Sequence, residues 1–125
     1  MKMRILVLDD QVQYGRSLDR ALRREYELVL AASQAEARQK LSPDICCVLA
    51  DVRLDESMPN DRQGLAFVSQ VRAQRPDLPI IAMSALDDES LESDALKAGA
   101  TKFLRKPIVI SQLRALLQEL LGKEC

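Results

Sequence analysis

The chain reads as an α/β domain, a parallel sheet covered by helices on both faces, and three observations predict it. Apolar runs of strand length alternate with helix-length segments from one end to the other, the pattern of successive strand–helix–strand units. The runs at 5–8 and 46–50 are apolar at every position, as in central strands buried on both faces. The final segment carries Leu113, Leu116, Leu117, Leu120 and Leu121 at i, i+3, i+4, i+7 and i+8, one continuous apolar helical stripe. Connections between parallel strands of one sheet are expected to be right-handed.

Each element follows from local chemistry. The first strand is read at 4–8, then a helix at 12–25 with Leu18, Ala21 and Leu22 on one face. The second strand covers 27–31. Ser33 and Glu36 have the spacing of a capping box, opening a short helix that ends near Leu41, before Ser42-Pro43. The third strand spans 45–50. A third helix covers 65–73 and is stopped by Arg75-Pro76, and the fourth strand is 80–83. The fourth helix, 89–98, ends at Gly99, a residue suited to a C-terminal cap. The fifth strand is 102–105. The last helix lacks a good N-cap, because Val109 stands where a hydroxyl or carboxylate would help.

Composition excludes several function classes. A chain of 125 residues without repeats or linkers is one domain, 1–125, with no room for a second. Its 18 basic and 19 acidic residues give a net charge of −1, not the basic footprint of nucleic-acid binding. Met1-Lys2-Met3-Arg4 leads directly into a strand and lacks a signal peptide's apolar region, and no apolar run approaches a membrane span. A cytoplasmic location is expected. With no histidine, neither a Ser-His-Asp nor a Cys-His arrangement can be built from this chain. Cys46 and Cys47 sit side by side in the third strand; strand alternation predicts that they pack on opposite faces, as small buried hydrophobes.

Four strand ends carry the chemistry. Asp9-Asp10 follow the first strand, Asp51 the third, Ser84 the fourth, and Lys106, just before Pro107, the fifth. In a parallel sheet these groups share the carboxyl edge, where ligands of open α/β sheets bind. Clustered carboxylates suit a hard divalent cation; a carboxylate beside such a cation and an ammonium can accept a phosphoryl group. Each residue alone has a simpler role. Asp9-Asp10 would serve as a helix cap, Ser84 as a turn hydroxyl and Lys106 as a solvated strand-end charge. The conjunction is what points to chemistry.

In these residues, taken in order, the chain resembles the response regulator receiver domains of two-component pathways over essentially its whole length. The resemblance implies a single doubly wound, flavodoxin-like sheet of five parallel strands in the order 2-1-3-4-5, flanked by five helices. It implies that Asp51 accepts a phosphoryl group from a histidine kinase or phosphotransfer protein, and that Mg²⁺ is bound by Asp9, Asp10, Asp51 and the backbone carbonyl of Arg53. Lys106 and Ser84 would hold the phosphoryl oxygens, Ser84 and Phe103 would form the output switch, and Lys106-Pro107 would be a cis peptide. The chemistry implied is phospho-acceptance and slow self-dephosphorylation, not turnover of a substrate. Output would pass to a downstream effector or a fused output domain, and a homodimer through the face of the fourth helix, fifth strand and fifth helix is compatible with the same likeness.

Two departures stand beside the resemblance. The stretch 54–63 after Asp51 is longer than is usual in the family and carries Asp55, Glu56 and Asp61. It reads either as a tolerated surface insertion or as a partner-selective lid, with Asn60 and Gln63 at capping-box spacing for an extra turn of the third helix. Arg53 and Leu86, each two residues beyond a site residue, are bulky and predict slow loss of phosphate. The rival readings are a receiver-shaped interaction module that is never phosphorylated and a flavin-binding relative of the same topology. The second would need a glycine- and hydroxyl-rich loop where this chain has Asp9-Asp10-Gln11-Val12.

Overall fold

Residues 2–52, 63–85 and 89–122 are described by a computed structural model. Among them strands and helices alternate: β1 (Met3–Leu8), α1 (Val12–Leu22), β2 (Tyr26–Ala31), α2 (Gln34–Lys40), β3 (Ile45–Asp51), α3 (Gln63–Gln74), β4 (Ile80–Ser84), α4 (Glu89–Ala98), β5 (Lys102–Arg105) and α5 (Ile110–Leu121). All neighbouring strands pair in parallel, in the order β2-β1-β3-β4-β5. The fold class and strand order expected from the sequence are those observed.

The apolar strands divide their side chains between two cores. Leu6 and Leu8 of β1, with Val48 and Ala50 of β3, pack under α2, α3 and α4 through Ala37, Phe67, Val68, Val71, Leu91 and Ala95. Ile5 and Val7, with Cys47 and Leu49, pack under α1 and α5 through Leu18, Leu22, Leu113, Leu117 and Leu121. The leucine stripe of α5 therefore covers one sheet face as predicted, with Leu116 and Leu120 flanking it.

The cysteine pair departs from prediction. Along β3 the register with β1 shifts, Arg4 pairing with Ile45 and Ile5 with Cys47. Cys46 is the extra residue, and such a bulge interrupts the strict alternation of faces. Both cysteines consequently join the α1–α5 core rather than opposite ones. Cys47 is a free thiol with no exposed surface, whereas Cys46 is disulfide-bonded, so only Cys47 fits the free-thiol reading.

Element ends follow their chemistry. Ser33 Oγ accepts the Glu36 N–H at 3.1 Å, while the Glu36 carboxylate reaches one residue beyond a standard capping box and takes the Ala32 N–H at 2.7 Å. Gly99, at φ 122°, ends α4 in paired turns, its N–H to Leu96 O at 3.1 Å and the Ala100 N–H to Ala95 O at 3.0 Å, the Schellman arrangement. Helix α1 stops at Leu22, short of the predicted 25. The Glu25 N–H turns back to Leu22 O at 2.9 Å because buried Tyr26 must open β2 opposite Met3. Val109 caps α5 without a side-chain bond, as expected. Among the described residues no helix is long and apolar enough to cross a membrane.

Candidate functional site

The site grows out of strand alternation. On β1, Ile5 and Val7 face the α1–α5 core. The Asp9 N–H continues the ladder to Ala31 O at 3.0 Å, so Asp9 stands on the same side, at the carboxyl edge. Its carboxylate is buried, 4 % exposed, and its Oδ1 accepts the Gln11 N–H at 2.9 Å, shaping the turn into α1. Asp51 ends β3 in register with Met83 and is 2 % exposed. Beyond β5, the Lys106 N–H donates to Ser84 O at 2.9 Å, and Lys106-Pro107 is a cis peptide, in line with the resemblance.

These ends meet at one ammonium. Lys106 Nζ donates to Asp9 Oδ2 at 2.6 Å and to Asp51 Oδ2 at 2.7 Å, with all three side chains nearly excluded from solvent. Burial on its own pulls the lysine pKa down, but the bonds and charges of Asp51 and Asp9 together outweigh it. The net position lies above the ordinary lysine value, so Lys106 is a fixed cation across physiological pH. Asp10 is exposed at the rim. One carboxylate oxygen from each of Asp9, Asp10 and Asp51 lies within 4.8 Å of the others. Two of the three carboxylates hold the ammonium, and the hard oxygen donors of all three fit a small divalent cation whose opposite ligands stand about 4 Å apart.

Ser84 is buried, 1 % exposed, and pairs in register with Arg105. By alternation with Ile80 and Ala82 it lies on the α2–α3–α4 side. Phe103, opposite Ala82, is half-buried against that same core. Ser84 and Phe103 therefore share a sheet face two residues apart in register, whereas Asp9, Asp51 and Lys106 gather on the other. Arg53, Leu86 and positions 54–62, with Asp55, Glu56, Asn60 and Asp61, lie outside the described residues, whereas Gln63 opens α3. The β1–α1 turn gives no support to a flavin-binding loop, since the Gln11 amide that would face a phosphate is already bonded to Asp9.

The model of the response regulator receiver domain family matches residues 5–118. The chain belongs to that family. It is 34 % identical over 119 residues to the transcriptional regulatory protein KdpE of Staphylococcus aureus, covering 92 % of this chain and 48 % of KdpE. It is 36 % identical over 124 residues to the response regulator MprA of Mycobacterium ulcerans, covering 98 % and 52 %. The chain thus spans about half the length of these relatives. Among solved structures, a CheY-like response regulator receiver domain protein from Methanospirillum hungatei superposes with a TM-score of 0.83 at 24 % identity, covering 95 % of this chain and 93 % of that one.

Two residues of this receiver domain's site were not assigned a role from the sequence. Gly64, in the first turn of α3, abuts the end of β3: a Cβ there would stand 2.2 Å from Asp51 O and 2.3 Å from Val52 Cα. No side chain fits, so the backbone of α3 packs directly on the strand that carries Asp51. Tyr14, one helical turn past Asp10, places its ring 4.4 Å from Lys106 Nζ and accepts the Ile108 N–H on its hydroxyl at 3.2 Å. Its phenol is held above the usual tyrosine pKa, chiefly by burial. The signal for Tyr14 was available, because it extends the Leu18 and Leu22 stripe of α1 by one turn at i−4.

Proposed function

We propose that this chain is a phosphorylation-switched receiver domain in which Asp51 takes a phosphoryl group from the phosphohistidine of a sensor histidine kinase or phosphotransfer protein. The observation that carries this reading is the buried Asp51 carboxylate held at 2.7 Å from Lys106 Nζ, beside Asp9 and Asp10, in a chain of the receiver family. In the reaction an Asp51 oxygen attacks phosphorus as the phosphorus–nitrogen bond to the donor imidazole breaks. The electron pair and a solvent proton go to the imidazole nitrogen, and Asp51 becomes an acyl phosphate. Lys106 turns from the two carboxylates to the phosphoryl oxygens, and Ser84 donates its hydroxyl to another.

Asp9, Asp10 and Asp51, with the carbonyl of Arg53 by resemblance, are the residues that would hold Mg²⁺, which when bound neutralises phosphoryl charge. The chain's own contribution is alignment and a fixed counter-charge, which suffices for a transfer of this kind. Inward movement of Ser84 would let Phe103 shift on the face they share, altering α4, β5 and α5 for an effector, a fused output domain or a second copy. Domain extent 1–125, a cytoplasmic location and the absence of direct nucleic-acid contact complete the reading. Slow hydrolysis, expected from Arg53 and Leu86, would show as faster phosphate loss in Arg53→Asn.

Incubation with Mg²⁺ and acetyl phosphate, followed by intact mass, tests the proposal. One added phosphoryl mass on wild type, abolished by Asp51→Asn or by chelation, is expected. An unmodified wild type, as an unphosphorylated interaction module would give, overturns it.

A further inference from the structure

Tyr14 touches the site twice, and none of the roles above uses it. The ammonium of Lys106 is a point charge on a flexible four-carbon stem. Two of its donors are engaged by Asp9 at 2.6 Å and Asp51 at 2.7 Å. The Tyr14 ring faces it at 4.4 Å, within the range in which a ring face attracts a cation. The same side chain reaches the turn behind the lysine. Pro107 has no N–H, so the Ile108 amide is the first beyond Lys106 able to anchor that turn. It donates to the Tyr14 hydroxyl at 3.2 Å. An aliphatic residue would fill the core as well and make neither contact.

We infer that Tyr14 is a positioning residue for Lys106: its ring confines the ammonium beside Asp9 and Asp51, and its hydroxyl fixes the Lys106–Pro107–Ile108 turn. The inference rests on the reading of Asp51 as phosphoryl acceptor. An ammonium already 2.7 Å from Asp51 Oδ2 meets the arriving phosphoryl oxygens with little reorganisation. Without the ring, Lys106 samples rotamers that leave the acceptor, and transfer slows although the carboxylates are untouched.

Tyr14→Phe keeps the ring and loses the hydroxyl; Tyr14→Leu loses both. Phosphorylation rates with acetyl phosphate at saturating Mg²⁺ are compared with Mg²⁺ affinity by calorimetry and with exchange of the Ile108 amide by NMR. Tyr14→Leu is expected to slow labelling of Asp51 about tenfold, the scale of a partly desolvated cation–π contact, and Tyr14→Phe to fall between it and wild type. Mg²⁺ affinity is unchanged in both variants, and the Ile108 amide exchanges faster in both. A wild-type rate in Tyr14→Leu, a Tyr14→Phe as slow as Tyr14→Leu, or Mg²⁺ affinity falling in step with the rate would overturn the inference. A wild type that takes no phosphoryl group overturns the acceptor reading itself, and is told apart because Tyr14→Leu then has no rate to lose.

Discussion

Lys106 neutralises two buried carboxylates at once, so its removal does more than delete one contact. In Lys106→Met, Asp9 and Asp51 lose the ammonium they share, a loss that destabilises by on the order of 3 kcal/mol. Urea unfolding should show that loss in metal-free buffer and much of it recovered with millimolar Mg²⁺. A loss of equal size with and without Mg²⁺ would argue against a cation site at the three carboxylates. The same lysine sets an alkaline limit. Its pKa is raised from 10.5 by folding, so its contribution is complete below that value and is lost as pH rises through the folded pKa. Cys47 acts in the same direction, burial pushing its thiol from 9.0 up to about 12. Stability should therefore hold through neutral pH and fall above about pH 9. A stability that rises over that range would contradict both assignments. At pH 8 iodoacetamide should leave Cys47 unmodified in the native protein and label it once unfolded, as peptide mapping would show.

Helix ends offer cleaner tests at the level of elements. Ser33→Ala removes the hydroxyl that accepts the Glu36 N–H and should cost about 1 kcal/mol. Val109, 52 % exposed at an extended N-cap without a side-chain bond, is the converse case. Val109→Ser should stabilise by roughly 0.5–1 kcal/mol in the same unfolding measurement. These ends were legible because a cap is written in three or four neighbouring residues. The end of α1 was not, since the helix stops at Leu22 for a reason that lies in Tyr26 and its pairing with Met3. The Cys46 bulge was hidden for a similar reason: each strand alone looks regular, and only the register between Arg4 and Ile5 of β1 and their partners on β3 reveals the extra residue.

Across the whole molecule, the residues that define the site come from segments almost a hundred positions apart, and the parallel topology is what unites them. That much could be read in advance, because strand ends of a parallel sheet share one edge. Asp9, Asp51, Ser84 and Lys106 all stand there. The division of labour between faces was less accessible. Asp9, Asp51 and Lys106 gather on the α1–α5 side while Ser84 and Phe103 face the other, which depends on the parity of each strand's last residue. Gly64 became significant only once α3 was seen against the end of β3. Borohydride trapping tests the Asp51 carboxylate directly. After incubation with Mg²⁺ and acetyl phosphate, reduction of an acyl phosphate converts the aspartate that bears it to homoserine, located by peptide mass spectrometry. Homoserine is expected at position 51 alone; conversion of Asp9 or Asp10 instead, or none at all, would overturn the assignment of Asp51 as acceptor.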